Sequence, residues 1–214
     1  IIASHIVPSM MEFLDNTTIN CVEDYTHIGL PRKSEAILII EIDGRGSIVQ
    51  EDAETIRTKA VKNNASALKG AADETEANIL KTARRSAFSA LARRMPTTIL
   101  EDATVPRSEL PVMIEKVSKA AMIYGVMIGN FGHAGDGNLH PTCLTDERDS
   151  KELDKAHRAF DFIFNEAIKL GGTITGEHGT GLAKKHFLEQ VAGPAGVDMM
   201  KKIKMAIDEN NILN

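Results

Sequence analysis

The chain has 214 residues, 43% of them apolar, with 25 Lys plus Arg against 30 Asp plus Glu and a net charge of −5. That is enough apolar material for a packed core, so disorder is excluded, and there is no basic excess to suggest a nucleic-acid face. The longest apolar run, Ala36 to Ile40, is far too short to cross a bilayer, and two cysteines, Cys21 and Cys143, build no disulfide framework.

The chain opens Ile1-Ile2-Ala3 without Met or a signal-peptide pattern and stops just after a helical stretch. It is expected to be part of a longer protein. Pro8 is expected to open a short helix over about 9–15, and Ala36 to Asp43, nearly all β-branched or Leu, reads as a central strand. Ser47 to Gln50 is a candidate return strand. A helix is expected from Glu51 to about Leu68, and a second, capped by Asp73, to about Met95 before Pro96. Thr98 to Thr104 reads as a strand, and Ser108 as the cap of a helix that tolerates Pro111 in its first turn. Tyr124 to Phe131 and Asn138 to Leu144 read as strands around a Gly-rich turn. Leu153, Ala156, Phe160, Ile163, Phe164 and Ala167 mark a helix over about 151–170. A short helix near 177–190 and a last one near 196–211 complete the pattern. Helices interspersed with strands, one hairpin antiparallel, predict an α+β domain with helices packed on a sheet.

Chemistry concentrates in two places. In Gly132-His133-Ala134-Gly135-Asp136-Gly137-Asn138-Leu139-His140, an Asp-Gly between apolar runs signals a hairpin. With Asp136-Gly137 as a two-residue loop, His133 and His140 are opposite on one face, a spacing that suits two imidazoles on one metal ion. The plain alternative is a Gly-rich turn with two surface histidines. The second stretch is Gly171-Gly172-Thr173-Ile174-Thr175-Gly176-Glu177-His178-Gly179-Thr180-Gly181. Glu177 offers a hard oxygen, and two His with one carboxylate is a common set for a catalytic divalent ion with open positions. Glu177 complementing a helix dipole is the bland reading.

The segments G-H-A-G-D-G-N-L-H-P at 132–141 and G-E-H-G-T-G at 176–181 closely resemble the FAD-linked oxidase C-terminal domain family. That family serves glycolate oxidase and D-lactate and D-2-hydroxyglutarate dehydrogenases. The resemblance runs on through E-I-D-G at 41–44, E-D-A-T-V-P-R-S-E-L-P at 101–111 and N-N-I-L-N at 210–214.

It implies that residues 1–214 are the C-terminal substrate, or cap, domain of a vanillyl-alcohol-oxidase-type flavoenzyme, with an antiparallel ferredoxin-like sheet. The N-terminal FAD-binding domain is then absent from this chain, and the chain alone is expected to be inactive. By the resemblance, His133, His140 and Glu177 match divalent metal ligands, the metal being zinc, manganese or iron. His178 matches the catalytic base. An Arg before the second strand matches the group that binds the substrate carboxylate. At 100° per residue from Leu80, Arg84 falls at about 40°, within the apolar stripe, and Arg85 at about 140°, so Arg84 is preferred. Many relatives carry Trp three residues earlier, where Lys81 stands here.

The implied function is oxidation of a small 2-hydroxy acid, of glycolate or D-lactate type, with hydride transfer to FAD. The implied partners are its own FAD domain and other oxidase subunits, with no nucleic acid and no transmembrane segment. The implied location is the cytoplasm, peripheral at the membrane through those subunits. A metal-dependent hydrolase using His133, His140 and Glu177, or a non-enzymatic assembly module, are the competing readings. Glu41 and Asp43 read equally as a solvated strand end or as residues near the site, Asn138 as a turn residue with substrate contact as the alternative, His157 and His186 as surface, and Cys143 as a small buried hydrophobe.

Overall fold

The computed structural model describes residues 1–213. One antiparallel sheet organises it, built from β1 (Met10–Asp15), β2 (Ala36–Glu41), β3 (Thr97–Leu100), β4 (Ala103–Thr104), β5 (Met127–His133) and β6 (Asn138–Thr145). The order is β2-β1-β5-β6-β3, with β4 also pairing β6. The helices are α1 (Asn16–Thr26), α2 (Gly46–Lys62), α3 (Glu74–Arg85), α4 (Ala87–Ala92), α5 (Leu110–Tyr124), α6 (Ser150–Lys169) and α7 (Leu188–Ile207). The expected α+β class, helices on an antiparallel sheet, is what forms. No helix of the described residues is long and apolar enough to cross a membrane.

Each face of the sheet has its own core. On one, Met113 and Val117 of α5 and Phe160 and Ile163 of α6 pack against Phe13, Ile128, Leu139 and Cys143. On the other, Ile19 and Val22 of α1, Ala83 of α3 and Ala87 and Leu91 of α4 pack against Leu14, Phe131 and Leu144. Successive strand residues alternate between these faces, as the pleat requires. A strand buried on both sides shows no alternation of polarity.

This explains the largest correction. Residues 9–15 are not a helix: Met10–Asp15 is an interior strand, with Phe13 and Leu14 buried in opposite cores. Six residues without alternation fit either period. The cap that matters is Asp15, whose side chain accepts from Thr18 N at 2.8 Å to start α1. β2 is an edge strand, not a central one; its apolar run packs Ile37 and Ile39 on the second core while Leu38 stays 47% exposed.

Ser47 to Gln50 belong to the first turns of α2 rather than to a return strand, and α2 stops at Lys62, before Leu68. Asp73 does cap α3, accepting from Glu76 N at 2.9 Å, but the helix breaks at Ser86 into α3 and α4. Strand 98–104 is interrupted at Glu101-Asp102. The register that pairs Leu100 with Thr142 and Ala103 with Leu139 sets Glu101 opposite Pro141, which has no N–H to donate. A 3₁₀ turn at Arg107–Glu109 precedes α5, so Ser108 does not cap it; Pro111 does sit in its first turn. The strand expected from Tyr124 starts only at Met127, because α5 runs on to Gly125 in the left-handed region. The helix expected near 177–190 is a loop followed by a 3₁₀ turn at Lys185–Phe187. α7 starts at Leu188, kinks at Gly193-Pro194 and ends at Ile207.

Candidate active site

The face that carries Leu14, Phe131 and Leu144 turns polar toward one end of the strands. There Glu12 on β1 pairs with His133 on β5, His133 pairs with Asn138 on β6, and Phe131 pairs with His140. The hairpin is not the two-residue turn expected. Ala134–Gly137 form a four-residue connection, with Asp136 N and Gly137 N both donating to His133 O at 3.3 and 3.1 Å. Gly137 is held at φ +84°, and a Cβ there would lie 2.1 Å from Val105 O, so the last position of this turn takes glycine. His133 and His140 are therefore diagonal rather than opposite. They still share a face, because each strand slips by one residue and the parity of the pairing is kept. Their rings lie 5.2 Å apart at 90°.

The loop after Thr173, which bridges back to Thr104, brings Glu177 over this hairpin. Glu177 Oε1 lies 3.0 Å from His140 Nε2, 3.6 Å from His133 Nε2 and 3.7 Å from His178 Nε2. The His178 ring stacks on His140 at 5.1 Å and 13°. His133, His140 and Glu177 each offer an atom within 4.8 Å of the others, a grouping that could hold a metal ion. Burial and then the neighbouring His133 push His140 down to about 4, so near neutral pH it is the uncharged imidazole that metals take as ligand. Its Nδ1 is buried without a hydrogen-bond partner.

Arg84 reaches the same cluster from α3, while Arg85 is exposed. Arg84 Nε donates to Glu12 Oε2 at 2.5 Å, and the guanidinium lies 4.8 Å from the Phe131 ring centroid. The other Glu12 oxygen is 2.7 Å from His133 Nδ1. Glu12, only 7% exposed, thus joins the Arg to the His pair. Sequence reasoning missed it because it lies in the segment read as a helix. A strand reading would have set its side chain on the same face as Leu14, toward the second core. One turn earlier on α3, Lys81 pairs with Glu41 at 2.6 Å, so Glu41 is not a free strand end. His157 and His186 are exposed and Cys143 is buried, as expected.

The fold has counterparts among solved structures. p-Cresol methylhydroxylase with substrate bound matches with a TM-score of 0.61 at 15% identity, over 98% of this chain and 46% of that one. The chain belongs to the family of FAD linked oxidases, C-terminal domain, whose model matches residues 1–214. It is 51% identical over 214 residues to glycolate oxidase subunit GlcD of Bacillus subtilis, covering 100% of this chain and 46% of that protein. It is 30% identical over 207 residues to the probable mitochondrial D-lactate dehydrogenase of Danio rerio, covering 95% of this chain and 41% of that protein. The chain thus spans a little under half the length of these relatives.

Proposed function

We propose that this chain is the substrate- and metal-binding domain of an FAD-dependent 2-hydroxy-acid oxidising enzyme of the glycolate or D-lactate type. The observation that carries the reading is the convergence of His133, His140 and Glu177, tied through Glu12 to an arginine on an otherwise apolar helix face. The remaining length of the relatives would carry the FAD-binding domain. We place the whole enzyme in the cytoplasm, in contact with other oxidase subunits.

The donor set fits a divalent ion such as zinc, manganese or iron. Glu12 engages His133 Nδ1 and leaves Nε2 toward Glu177, the usual arrangement of a ligating histidine held by a carboxylate. His133, His140 and Glu177 would hold the ion, which when bound supplies a Lewis acid for a substrate hydroxyl and carboxylate. FAD supplies the hydride acceptor that side chains cannot.

The chain's own residues do the rest. Arg84 spends Nε on Glu12 and keeps its two terminal amino groups for a substrate carboxylate. Phe131 beneath the guanidinium and Glu12 beside it fix its plane. His178 Nε2, on the rim of the cluster and 38% exposed, takes the hydroxyl proton as hydride leaves the α-carbon.

The test uses the full-length enzyme, with glycolate and D-lactate as substrates and a dye as electron acceptor. Metal content is measured in parallel. Turnover by the wild type, with loss of both metal and turnover in Glu177→Ala and in His133→Ala with His140→Ala, is the expected result. Turnover that persists without metal would overturn the metal assignment. Ester hydrolysis with no flavin reduction would favour a metal-dependent hydrolase instead.

A further inference from the structure

Glu101 and Asp102 lie in the gap between β3 and β4, and the proposed chemistry uses neither. Both reach the loop that carries Glu177 and His178. Asp102 is fully buried. Its Oδ1 accepts from Gly176 N at 2.7 Å; its Oδ2 accepts from Thr175 Oγ1 at 2.7 Å, Glu177 N at 2.9 Å and His178 N at 2.7 Å. Thr175 Oγ1 in turn accepts from Gly179 N at 2.9 Å. Further along the loop, the buried Lys184 ammonium lies 3.2 Å from Glu101 Oε2 and 5.6 Å from the Phe164 ring centroid. Two consecutive carboxylates therefore fasten the loop at both ends.

All four donors come from the loop itself, three to Oδ2 and one to Oδ1, so both oxygens of Asp102 are engaged by the segment that carries Glu177 and His178. The donors are three successive backbone N–H groups and one hydroxyl, charge-assisted bonds in a site closed to water. Because Glu177 and His178 are two of the three residues whose N–H groups are held, this contact fixes where both side chains start.

We propose that Asp102 is a positioning residue, seconded by the Glu101–Lys184 pair, that sets Glu177 and His178 against the histidine hairpin. This rests on the reading of the cluster given above.

The experiment uses the full-length holoenzyme, its metal-stripped form and Mn²⁺ as the probe. Asp102→Asn keeps the volume but turns an acceptor into a donor facing N–H groups. The expected result is faster hydrogen exchange at the amides of 176–178 with the β5–β6 hairpin still protected. Mn²⁺ affinity, read by electron paramagnetic resonance on folded protein, should fall about 10–100-fold. kcat should fall more than KM rises, because Arg84 is untouched. Thr175→Val removes one of the four donors to Asp102, and with it the acceptor of Gly179 N, and should give a smaller change in the same direction, which keeps the test open if Asp102→Asn folds poorly. Lys184→Met should loosen exchange at the far end of the loop.

Wild-type protection at 176–178 in Asp102→Asn would overturn the proposal. So would lost protection with unchanged Mn²⁺ affinity and kcat. If His133→Ala with His140→Ala binds Mn²⁺ as the wild type does, the metal reading fails instead. Exchange at 176–178 and kcat in the Asp102 variant then decide the positioning role alone.

Discussion

Lys81 donates to Glu41 across 2.6 Å, one helical turn ahead of the Arg84–Glu12 pair and over the same face of the sheet. The two pairs differ in burial: the side chains of Lys81 and Glu41 are 26% and 40% exposed, those of Arg84 and Glu12 21% and 9%. A solvated pair contributes about 1 kcal/mol at most. Breaking a buried pair costs about 3–5 kcal/mol, because one charge is left without its partner. Lys81→Ala should therefore cost under about 1 kcal/mol and leave KM near wild type. Arg84→Ala should be several-fold more destabilising and raise KM for the hydroxy acid about 10–100-fold, the scale of a charge-assisted hydrogen bond. Urea denaturation and steady-state kinetics of both variants decide. An equal rise in KM for Lys81→Ala would make Lys81 part of the carboxylate site.

His178→Ala in the full-length enzyme should slow flavin reduction about 10²–10⁴-fold, the scale of a positioned general base. Metal content should be retained, since His133, His140 and Glu177 remain. Rapid mixing, normalised to folded protein and bound metal, measures this. Near wild-type flavin reduction would remove His178 from the proton transfer.

The buried His140 gives the metal-free protein an acid-side instability. Its imidazole titrates at about 4 when folded, against 6.5 for an ordinary histidine. Between those values the unfolded chain binds a proton that the folded one rejects. Stability is therefore complete above pH 6.5 and falls as pH drops toward 4, by up to roughly 3 kcal/mol. Unfolding midpoints measured across that range should slope for the wild type and flatten for His140→Gln. An unchanged slope in the variant would assign it to other groups.

Cys143, wholly inaccessible between the sheet and α6, has its thiol pushed up to about 12 by burial and secondarily by Glu152. At pH 8 only about one molecule in ten thousand is thiolate, too few for ready alkylation. Native protein should take up iodoacetamide at Cys21 first, since that residue lines a surface cleft with Tyr25 and Arg93. Cys143 should react only on unfolding. Fast native labelling at Cys143, located by peptide mass, would show that the α6 layer opens.

The parts of the site legible in sequence were those tied to periodicity or to a compact motif. The choice of Arg84 over Arg85 needed only the helical angle, and burial of Ala83, Ala87 and Leu91 beside it agrees. The shared face of His133 and His140 survived a wrong turn because strand parity is insensitive to a slip of one residue on each side. Glu12 was hidden by its strand, whose two buried faces erase the alternation that marks a strand. Asp102 was hidden for another reason: the strand break depends on Pro141, a residue of a different strand whose pairing no local pattern reveals.

Glu12 meets His133 across 121 positions of sequence. As the chain leaves the ribosome, β1 can close on β2 early, but its other edge has no partner until β5 emerges. Synthesis must pass Thr145 before β6 can complete the sheet. Pairing over such distances is slow, and an open strand edge invites other chains meanwhile. The hairpin of His133 and His140 is thus also the closing piece of the fold. Substitutions there would be felt in refolding rate and in the yield of soluble protein at elevated temperature, before any effect on the finished enzyme.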